Sequence, residues 1–305
     1  MSAPSQDAPT RPLLALFLNS MWDCYPEVDA SACSLPCVFS TDPAELERAD
    51  VVVVHLPTAP PLHWLPKRPG QAWVAFSMES EITVPAMVDA RERVGFDFEV
   101  SHRRRADVWC PYFGRRIRAG LLAAPQPKTA AYPVAHFQSN PYDRSGRNRL
   151  ASELIRRIKV ASYGRVLPTV AGSGTIATRE ERLALSARHK FTLAFENSIV
   201  PDYVSDKLFD VWIAGSVPVY LGAPNVAEFA PAENSYIDAS KFESPAELAA
   251  YLNHLDGHDD DYEAHLEWKR SGPDARFLEL LESVTDHPWC DIIELAHARG
   301  YGLRA

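Results

Sequence analysis

The sequence is poor in long hydrophobic runs and in positive charge. No stretch of its 305 residues approaches the ~20 apolar residues that a membrane helix needs. The apolar run at residues 13–18 is too short for the core of a signal peptide and follows little basic charge, so we expect a strand there. The net charge is −9, whereas a general nucleic-acid or anionic-membrane binder needs a basic face. The sequence therefore predicts no integral membrane segment and no nucleic-acid partner.

Cysteine is also scarce. The five cysteines are Cys24, Cys33, Cys37, Cys110 and Cys290. This odd and widely spaced set does not suggest a disulfide framework. The first three cysteines lack convincing zinc spacing, and no paired histidines follow them. The simplest expectation is therefore a cytoplasmic protein without a metal site.

Strand and helix patterns alternate along the chain, which predicts an α/β fold. Apolar runs typical of buried strands occur in the first half at residues 13–18, 51–55, 73–77 and 98–101. Residues 119–133 are rich in alanine and proline and lack periodicity, which is typical of a linker. The chain ends in helical patterns near residues 245–255, 262–270, 274–284 and 290–299. We therefore predict two α/β domains, 1–130 and 131–305, with the C-terminal helices able to pack back on the first.

Residues 191–222 carry the most informative pattern, FTLAFENSIVPDYVSDKLFDVWIAGSVPVYLG. A buried strand at 191–195 stops at a polar group, a helix is expected to begin near Tyr203, and a second strand at 217–221 is followed by Gly222. Three side chains are spaced to share one face near the helix N-terminus: Tyr203, Asp206 and Lys207. A helix N-terminus favours negative charge, and Lys207 adds a positive charge there. This order of elements predicts a nucleotide or phosphate site at the strand ends of an α/β sheet.

The same segment resembles the donor-binding motif of the α1,3/4-fucosyltransferases, which form glycosyltransferase family 10. That motif reads roughly F-x-L-x-F-E-N-S/T, a D-Y or G-Y pair, T-E-K, a helix, then V-P-V and a glycine. The matching positions are Phe191, Leu193, Phe195, Glu196, Asn197, Ser198, Asp202, Tyr203, Lys207, Val217, Pro218, Val219 and Gly222. One departure is Asp206, where the family has glutamate; the aspartate keeps the charge but is one methylene shorter. The resemblance implies a GT-B-like fold of two Rossmann-type lobes facing a cleft, in which 1–130 binds the acceptor and 131–305 binds a GDP-sugar donor.

The resemblance also implies a donor site built from six residues: Arg147, Glu196, Asn197, Tyr203, Asp206 and Lys207. Lys207 would supply a compact positive charge to the leaving diphosphate. Arg147, at the start of a helical pattern, would be the second diphosphate contact, because a guanidinium fork matches phosphate oxygens. Arg144 and Arg149 compete for that role, and a surface position on an amphipathic helix is the alternative for each of the three.

Glu79 is the predicted catalytic base. The run WVAFSMES places it just beyond an apolar strand, where it resembles the E-S pair in the acceptor lobe of the family. Inversion at the anomeric carbon of a sugar requires a carboxylate that takes the proton of the acceptor hydroxyl. Two alternatives stay open: Glu81 lies two residues on, and Glu79 itself could cap the helix near Val84. His102 lies in a segment that also resembles the family, and it could be a base or a hydrogen-bonded structural histidine.

An acidic run at residues 259–261 contains D-x-D, the metal motif of the GT-A glycosyltransferases. It lies between predicted helices and away from the donor motif, so we interpret it as an acidic helix start. The resemblance implies metal-independent chemistry, in which Lys207 and Arg147 take the part of a divalent ion, and no cofactor besides the donor substrate.

The best hypothesis is an inverting glycosyltransferase that moves L-fucose from GDP-β-L-fucose to a hydroxyl of an oligosaccharide or glycoconjugate. An α1,3 linkage to an N-acetylglucosamine or glucose unit is the leading expectation. Two alternatives remain: the same fold with another GDP-sugar donor, which Asp206 permits, and a non-catalytic nucleotide- or carbohydrate-binding module. The presence of both Glu79 and Lys207 argues against the second.

Overall fold

The computed structural model describes Pro9 and residues 11–61, 67–88, 95–176 and 178–302. The chain divides into two compact units, one formed by Met1–Pro111 with Thr285–Ala305 and the other by Tyr112–Val284. Each unit contains its own parallel sheet. The second unit thus begins before the predicted residue 131, and the last helix belongs to the first unit.

The strands form one sheet in each unit. Those of the first unit are β1 Leu13–Phe17, β2 Cys37–Ser40, β3 Val51–His55, β4 Ala72–Ser77, β5 Phe98–Ser101 and β6 Val108–Trp109. They pair in parallel in the order β2-β1-β3-β4-β5-β6. Those of the second unit are β7 Val134–His136, β8 Val160–Ser162, β9 Phe191–Phe195, β10 Val217–Leu221 and β11 Ile237–Asp238. They pair in parallel in the order β11-β10-β9-β7-β8.

The helices that bear on the fold follow the strands in α/β alternation. They are α1 Arg118–Leu122, α2 Arg147–Ile155, α3 Arg179–Ala187, α4 Asp206–Ala214, α5 Pro245–Gly257, α6 Asp259–Ala264, α7 Trp268–Ser271, α8 Ala275–Ser283 and α9 Pro288–Ala298. In the part of the chain that the structure describes, no helix combines the length and the apolar character needed to cross a membrane.

The first sheet is buried on both faces, as is usual for parallel strands. Every residue of β3 and β4 is buried. Alternate residues of a strand face opposite sides, so Val51 and Val53 join one apolar cluster while Val52 and Val54 join another. Runs of β-branched residues suit such a doubly covered strand, and the strand predicted at 51–55 is confirmed.

Helix α9 covers one face of this sheet. Trp289 packs edge-on against Phe17 and Phe76, with ring centroids 4.9 Å apart in both pairs. The next residue, Cys290, forms a disulfide with Cys33, which lies 257 residues away in sequence. The structure thus contains one disulfide, although the cysteine spacing did not suggest a disulfide framework. The packing of α9 on the sheet brings together two cysteines that no local spacing connects.

In the second unit, helices cover both faces of the sheet. Leu154 of α2 and Leu252 of α5 join the apolar cluster on one face. On the other face of β9, the Thr192 hydroxyl hydrogen-bonds Ser186 of α3 at 2.8 Å, and α3 packs beside α4. Residues 123–133 are irregular, as the linker prediction requires, although the first residues of the predicted linker belong to α1.

Candidate functional site: the start of helix α4

The carboxyl end of β9 and the start of α4 form the centre of the candidate site. β9 lies inside the second sheet, between β10 and β7. Helix α4 begins at Asp206, with Ser205 as its N-cap residue. The predicted helical face is therefore wrong for Tyr203, which lies before the helix because the side chain of Ser205 caps it. Asp206 and Lys207 occupy the first turn of α4, as predicted.

A buried carboxylate fixes this helix start. Glu196 has no solvent exposure, and its two oxygens accept hydrogen bonds from the backbone N–H of Ser205 at 2.7 Å and from the Ser205 hydroxyl at 2.8 Å. The Lys207 ammonium donates to Glu196 at 3.2 Å and to the Ser205 hydroxyl at 2.9 Å. One glutamate at a strand end thus holds both the cap of α4 and the lysine in its first turn.

Lys207 is a permanent cation at this position. Burial disfavours its ammonium form, but the carboxylates of Glu196 and Asp206 outweigh that effect, and the pKa of Lys207 is raised. Its side chain keeps 33% of its surface exposed. The lysine is therefore charged at neutral pH and accessible to an anionic ligand beside a helix N-terminus.

A pocket of about 320 Å³ opens beside these residues. Asp206 and Lys207 line it from α4, Arg182 lines it from α3, and Gln138 and Tyr163 line it from the segments after β7 and β8. Its volume lies in the range of small-molecule sites. The pocket thus combines two cations, two carboxylates and two aromatic rings at the carboxyl edge of a parallel sheet, where α/β proteins bind their ligands.

Carboxylates balance the cations along one side of the pocket. The Arg182 guanidinium lies 3.8 Å from the Asp206 carboxylate and 3.9 Å from the Asp210 carboxylate. Arg179 donates to Asp210 at 2.5 Å, yet burial dominates and the pKa of Asp210 is raised. Asp206 keeps 46% of its side chain exposed, so its oxygens are open to ligand hydroxyls.

Arg147 lies behind the pocket rather than on its wall. It is the first residue of α2 and is 3% exposed, and its guanidinium donates to the carbonyls of Asn140 at 3.0 Å and Tyr142 at 2.8 Å. Arg144 and Arg149 are exposed, so the three candidates for the diphosphate contact differ in burial, and only Arg147 among them is buried. Direct contact of Arg147 with a diphosphate stays a prediction.

Asn197 and Tyr203 are also buried near the site. Asn197 is 8% exposed, and its carbonyl accepts the backbone N–H of Arg144 at 2.7 Å. Tyr203 is 1% exposed and packs edge-on against Tyr112, with ring centroids 6.2 Å apart. Of the six predicted donor residues, two line the pocket, Asp206 and Lys207, while four are buried around it: Arg147, Glu196, Asn197 and Tyr203.

Sequence reasoning missed Arg182, Tyr163 and Gly164. Arg182 lies on α3, whose start carries a capping box between Thr178 and Glu181, and that S/T-x-x-E spacing was a readable signal. Gly164 has no comparable signal. A Cβ there would lie 2.0 Å from the Gln138 carbonyl oxygen, so the close approach of two backbones requires glycine.

Glu79 lies in the first unit, directly after β4. Its backbone N–H donates to the Ser77 hydroxyl at 3.0 Å, and the residue is half-buried. The capping alternative belongs to Ser80 instead, whose side chain accepts the N–H of Thr83 at 3.3 Å. Glu79 thus lies at the carboxyl edge of the first sheet, and its role as a base stays a prediction.

Glu81 and His102 lie close to each other at the same edge. A Glu81 carboxylate oxygen is 3.9 Å from Nε2 of His102, and His102 is 1% exposed. The loop after β4 thus holds two carboxylates, of which Glu81 lies beside a buried imidazole, and both stay candidates for the base.

The acidic run at residues 259–261 starts helix α6, which confirms its interpretation as a helix start. Asp259 accepts a hydrogen bond from Lys190 at 2.9 Å, and Asp261 lies 2.7 Å from His254. Among the described residues, no three or more His, Cys, Asp or Glu side chains are arranged to hold a metal ion. Metal independence stays a prediction.

Two family models match the chain in tandem. The fucosyltransferase N-terminal model matches residues 11–113, and the model of the C-terminal part of glycosyltransferase family 10 (fucosyltransferase) matches residues 125–302. The chain therefore belongs to glycosyltransferase family 10.

Curated relatives agree with this assignment. A fucosyltransferase-like protein of Arabidopsis thaliana is 31% identical over 267 residues, which are 87% of this chain and 48% of that protein. The GDP-fucose protein O-fucosyltransferase 3 of Gallus gallus is 37% identical over 162 residues, which are 52% of this chain and 34% of that protein. The chain thus spans less than half the length of these relatives.

Solved structures show the same fold. The crystal structure of an α1,3-fucosyltransferase with GDP-fucose matches with a TM-score of 0.60 and 17% identity, over 94% of this chain and 95% of that one. The structure of an α1,3-fucosyltransferase with GDP matches with a TM-score of 0.62 and 16% identity, over 100% and 96% of the two chains. The predicted α/β, GT-B-like fold is confirmed.

Proposed function

We propose that this chain transfers L-fucose from GDP-β-L-fucose to a hydroxyl of a glycan, with inversion at the anomeric carbon. The observation that carries the proposal is the Lys207 ammonium, held by the buried Glu196 at the N-terminus of α4 and exposed to the pocket. Membership of a fucosyltransferase family supports the choice of sugar.

Three groups in the pocket suit a GDP-sugar. Lys207 and Arg182 supply positive charge for the diphosphate, and the N-terminus of α4 adds its dipole. The exposed Asp206 carboxylate can accept hydrogen bonds from ribose hydroxyls. As the bond between the anomeric carbon and the β-phosphate oxygen breaks, negative charge grows on GDP, and these cations stabilise it without a divalent ion.

Glu79 is the group to which we assign the acceptor proton. In the proposed step, the acceptor oxygen forms a bond to the anomeric carbon while GDP leaves from the opposite face. The oxygen must lose its proton, and a carboxylate placed at a strand end can take it. Glu81, two residues on, is the alternative base.

The acceptor is proposed to be a sugar hydroxyl, with an α1,3 linkage to N-acetylglucosamine or glucose as the first choice. A second candidate is the hydroxyl of a serine or threonine in a protein. The 35–37% identity to proteins named GDP-fucose protein O-fucosyltransferase 3 favours that candidate. The two are distinguished by offering the enzyme and GDP-fucose either oligosaccharides or folded protein acceptors.

Donor choice is tested by titration calorimetry of GDP-fucose, GDP-mannose, GDP and UDP-glucose, with and without EDTA. We expect GDP-fucose to bind and EDTA to have no effect. Lys207→Met should weaken GDP binding at least tenfold, because a hydrogen bond to a charged group contributes about 1.5–3 kcal/mol. Lys241→Met, at an exposed lysine of the same unit, is the matched control. A parent protein that binds no guanine nucleotide would refute the proposal.

The disulfide between Cys33 and Cys290 bears on the predicted cytoplasmic location. A disulfide between Cys33 and Cys290 persists in oxidising compartments and is rare in the cytosol. Thiol labelling of the protein under denaturing conditions, before and after reduction, measures the oxidised fraction of this pair. Two additional reactive thiols after reduction would favour an oxidising compartment.

A further inference from the structure

An exposed tryptophan occupies a tight turn at the carboxyl end of β1. Met21 and Cys24 exchange backbone hydrogen bonds of 2.7 and 3.1 Å, which places Trp22 and Asp23 at the corner of the turn. Trp22 has a φ of +58°, at a position where this kind of turn favours glycine. A bulky residue is strained in this region of φ, and such strain concentrates at functional sites.

The loop that carries Trp22 is anchored to the end of the neighbouring strand. The Asn19 side-chain amide donates to the carbonyl of His55 at 2.9 Å and accepts its N–H at 3.1 Å. The Thr58 hydroxyl donates to the Ser20 carbonyl at 2.6 Å and lies 2.9 Å from Nδ1 of His55. This network fixes the base of the turn without covering the indole above it.

The indole itself remains open. Its ring contacts the His55 ring edge-on, with centroids 6.2 Å apart, yet 64% of Trp22 is exposed. Burial lowers the pKa of His55 to about 4, so this neighbour is uncharged at neutral pH. A second aromatic residue, Tyr25, is 37% exposed three positions further on. Aromatic surface is thus presented to solvent where burial would normally be preferred.

We propose that Trp22 is the stacking platform for a pyranose ring of the acceptor glycan, an inference that rests on the proposed fucosyl transfer. A planar indole face matches the axial C–H face of a glucose-type ring, whose hydroxyls point outward to polar groups. The residues that flank Trp22 in the sequence of the turn are polar: Asn19, Ser20 and Asp23. A protein interface would instead bury a larger continuous apolar area around an aromatic anchor.

The topology places this platform near the predicted base. Trp22 follows β1 and Glu79 follows β4, and β3 lies between these strands. Two strand spacings of about 4.8 Å set the two loops roughly 10 Å apart at the same edge of the sheet. Two linked pyranose rings bridge such a distance. Trp22 is therefore expected to hold the sugar next to the one that receives fucose, so the effect should depend on acceptor length.

The experiment compares Trp22→Gly and Trp22→Phe with the parent enzyme. Glycine relieves the positive-φ strain while removing the ring, so this variant should fold at least as well as the parent. With N,N′-diacetylchitobiose as acceptor, we expect KM to rise at least tenfold in Trp22→Gly and about twofold in Trp22→Phe. The KM for N-acetylglucosamine should change less, and the Kd of GDP-fucose should not change. Tyr132→Ala, at an exposed aromatic residue of the second unit, is the control.

The outcomes separate this inference from the proposed function. An unchanged KM for the disaccharide in Trp22→Gly overturns the stacking role and leaves fucosyl transfer intact. Transfer of fucose to protein serine or threonine, with no transfer to glycans, likewise overturns the stacking role and leaves fucosyl transfer intact. If the parent transfers no fucose, fluorescence titration of parent and Trp22→Gly with chitobiose still decides the point. Equal affinities, or no binding by either protein, overturn the inference.

Discussion

Replacing Glu196 with glutamine tests the centre of the candidate site with little change of shape. The carboxylate accepts hydrogen bonds from the N–H of Ser205 at 2.7 Å, from its hydroxyl at 2.8 Å and from Lys207 at 3.2 Å. A side-chain amide has one oxygen and one NH₂ group, so one of these donors must then face another donor. The Lys207 ammonium also loses its buried counter-charge.

Two effects set the expected cost. A hydrogen bond to a charged group contributes about 1.5–3 kcal/mol, and a buried donor left unsatisfied costs about 1–3 kcal/mol. Lys207 keeps 33% of its side chain exposed, so water recovers part of this loss. We therefore expect Glu196→Gln to destabilise the second unit by about 2–3 kcal/mol. For a unit of this size the Tm should fall by roughly 5–10 °C.

The assay combines scanning calorimetry with titration of GDP-fucose. Because the start of α4 and Lys207 lose their anchor, we expect the Kd of GDP-fucose to rise about tenfold, which corresponds to about 1.4 kcal/mol. Asp206→Asn provides a contrast, because Asp206 is 46% exposed and outside the buried network. That variant should lose donor affinity while keeping the Tm of the parent. Glu180→Gln, at an exposed glutamate of the same unit, controls for loss of charge.

The reasoning fails if Glu196→Gln keeps both the Tm and the GDP-fucose affinity of the parent. It also fails in part if the Tm falls while the affinity is unchanged, since Lys207 would then not depend on Glu196 for its position. A loss of affinity without a loss of stability would mean that Glu196 contacts the donor directly, as the sequence motif first suggested.

Three further predictions follow. Gly222→Ala places a Cβ 2.6 Å from Cγ of Glu196, so it should lower both Tm and donor affinity, measured as above. Burial lowers the pKa of His136 to about 4, so the unfolded chain alone binds this proton between pH 6.5 and 4. The unfolding free energy should therefore fall by ~3 kcal/mol as the pH is lowered from 6.5 to 4. In acid denaturation, His136→Asn should show a smaller loss over the same pH range. Cys33→Ser removes the disulfide with Cys290 and should lower the unfolding free energy of the first unit by about 2–5 kcal/mol. The Tm of the variant should therefore be lower than that of the parent, and adding a reductant should not lower it further.

The parallel strands were the most predictable part of the fold. Runs such as Val51–His55 and Phe191–Phe195 are continuous, apolar and bounded by polar turns, so their ends are marked in the sequence. Short strands carry no such mark. Val160–Ser162 has three residues and Cys37–Ser40 is only partly buried, so neither stands out from a loop. Their identity comes from pairing with β7 and β1, which is tertiary information.

The candidate site was predictable along one segment and not across the pocket. Glu196 and Lys207 lie in one motif, and the structure joins them by a hydrogen bond. Arg182 and Tyr163 line the same pocket but precede that motif in sequence. For Arg182, the capping box of α3 indicates a helix start in the sequence, whereas Tyr163 has no comparable signal. The disulfide between Cys33 and Cys290 was unpredictable for the same reason, since chain packing alone brings its halves together.

The buried network also explains why an aspartate is tolerated where the family has glutamate. The hydrogen bonds that join the end of β9 to the start of α4 run through Glu196, Ser205 and Lys207, and the side chain at position 206 takes no part in them. Asp206 faces the pocket with nearly half its side chain exposed, so a shorter side chain changes its reach toward a ligand rather than the fold. Under the proposed function, the substitution therefore changes how far the carboxylate reaches toward the ribose, while its negative charge stays beside the cations of Lys207 and Arg182.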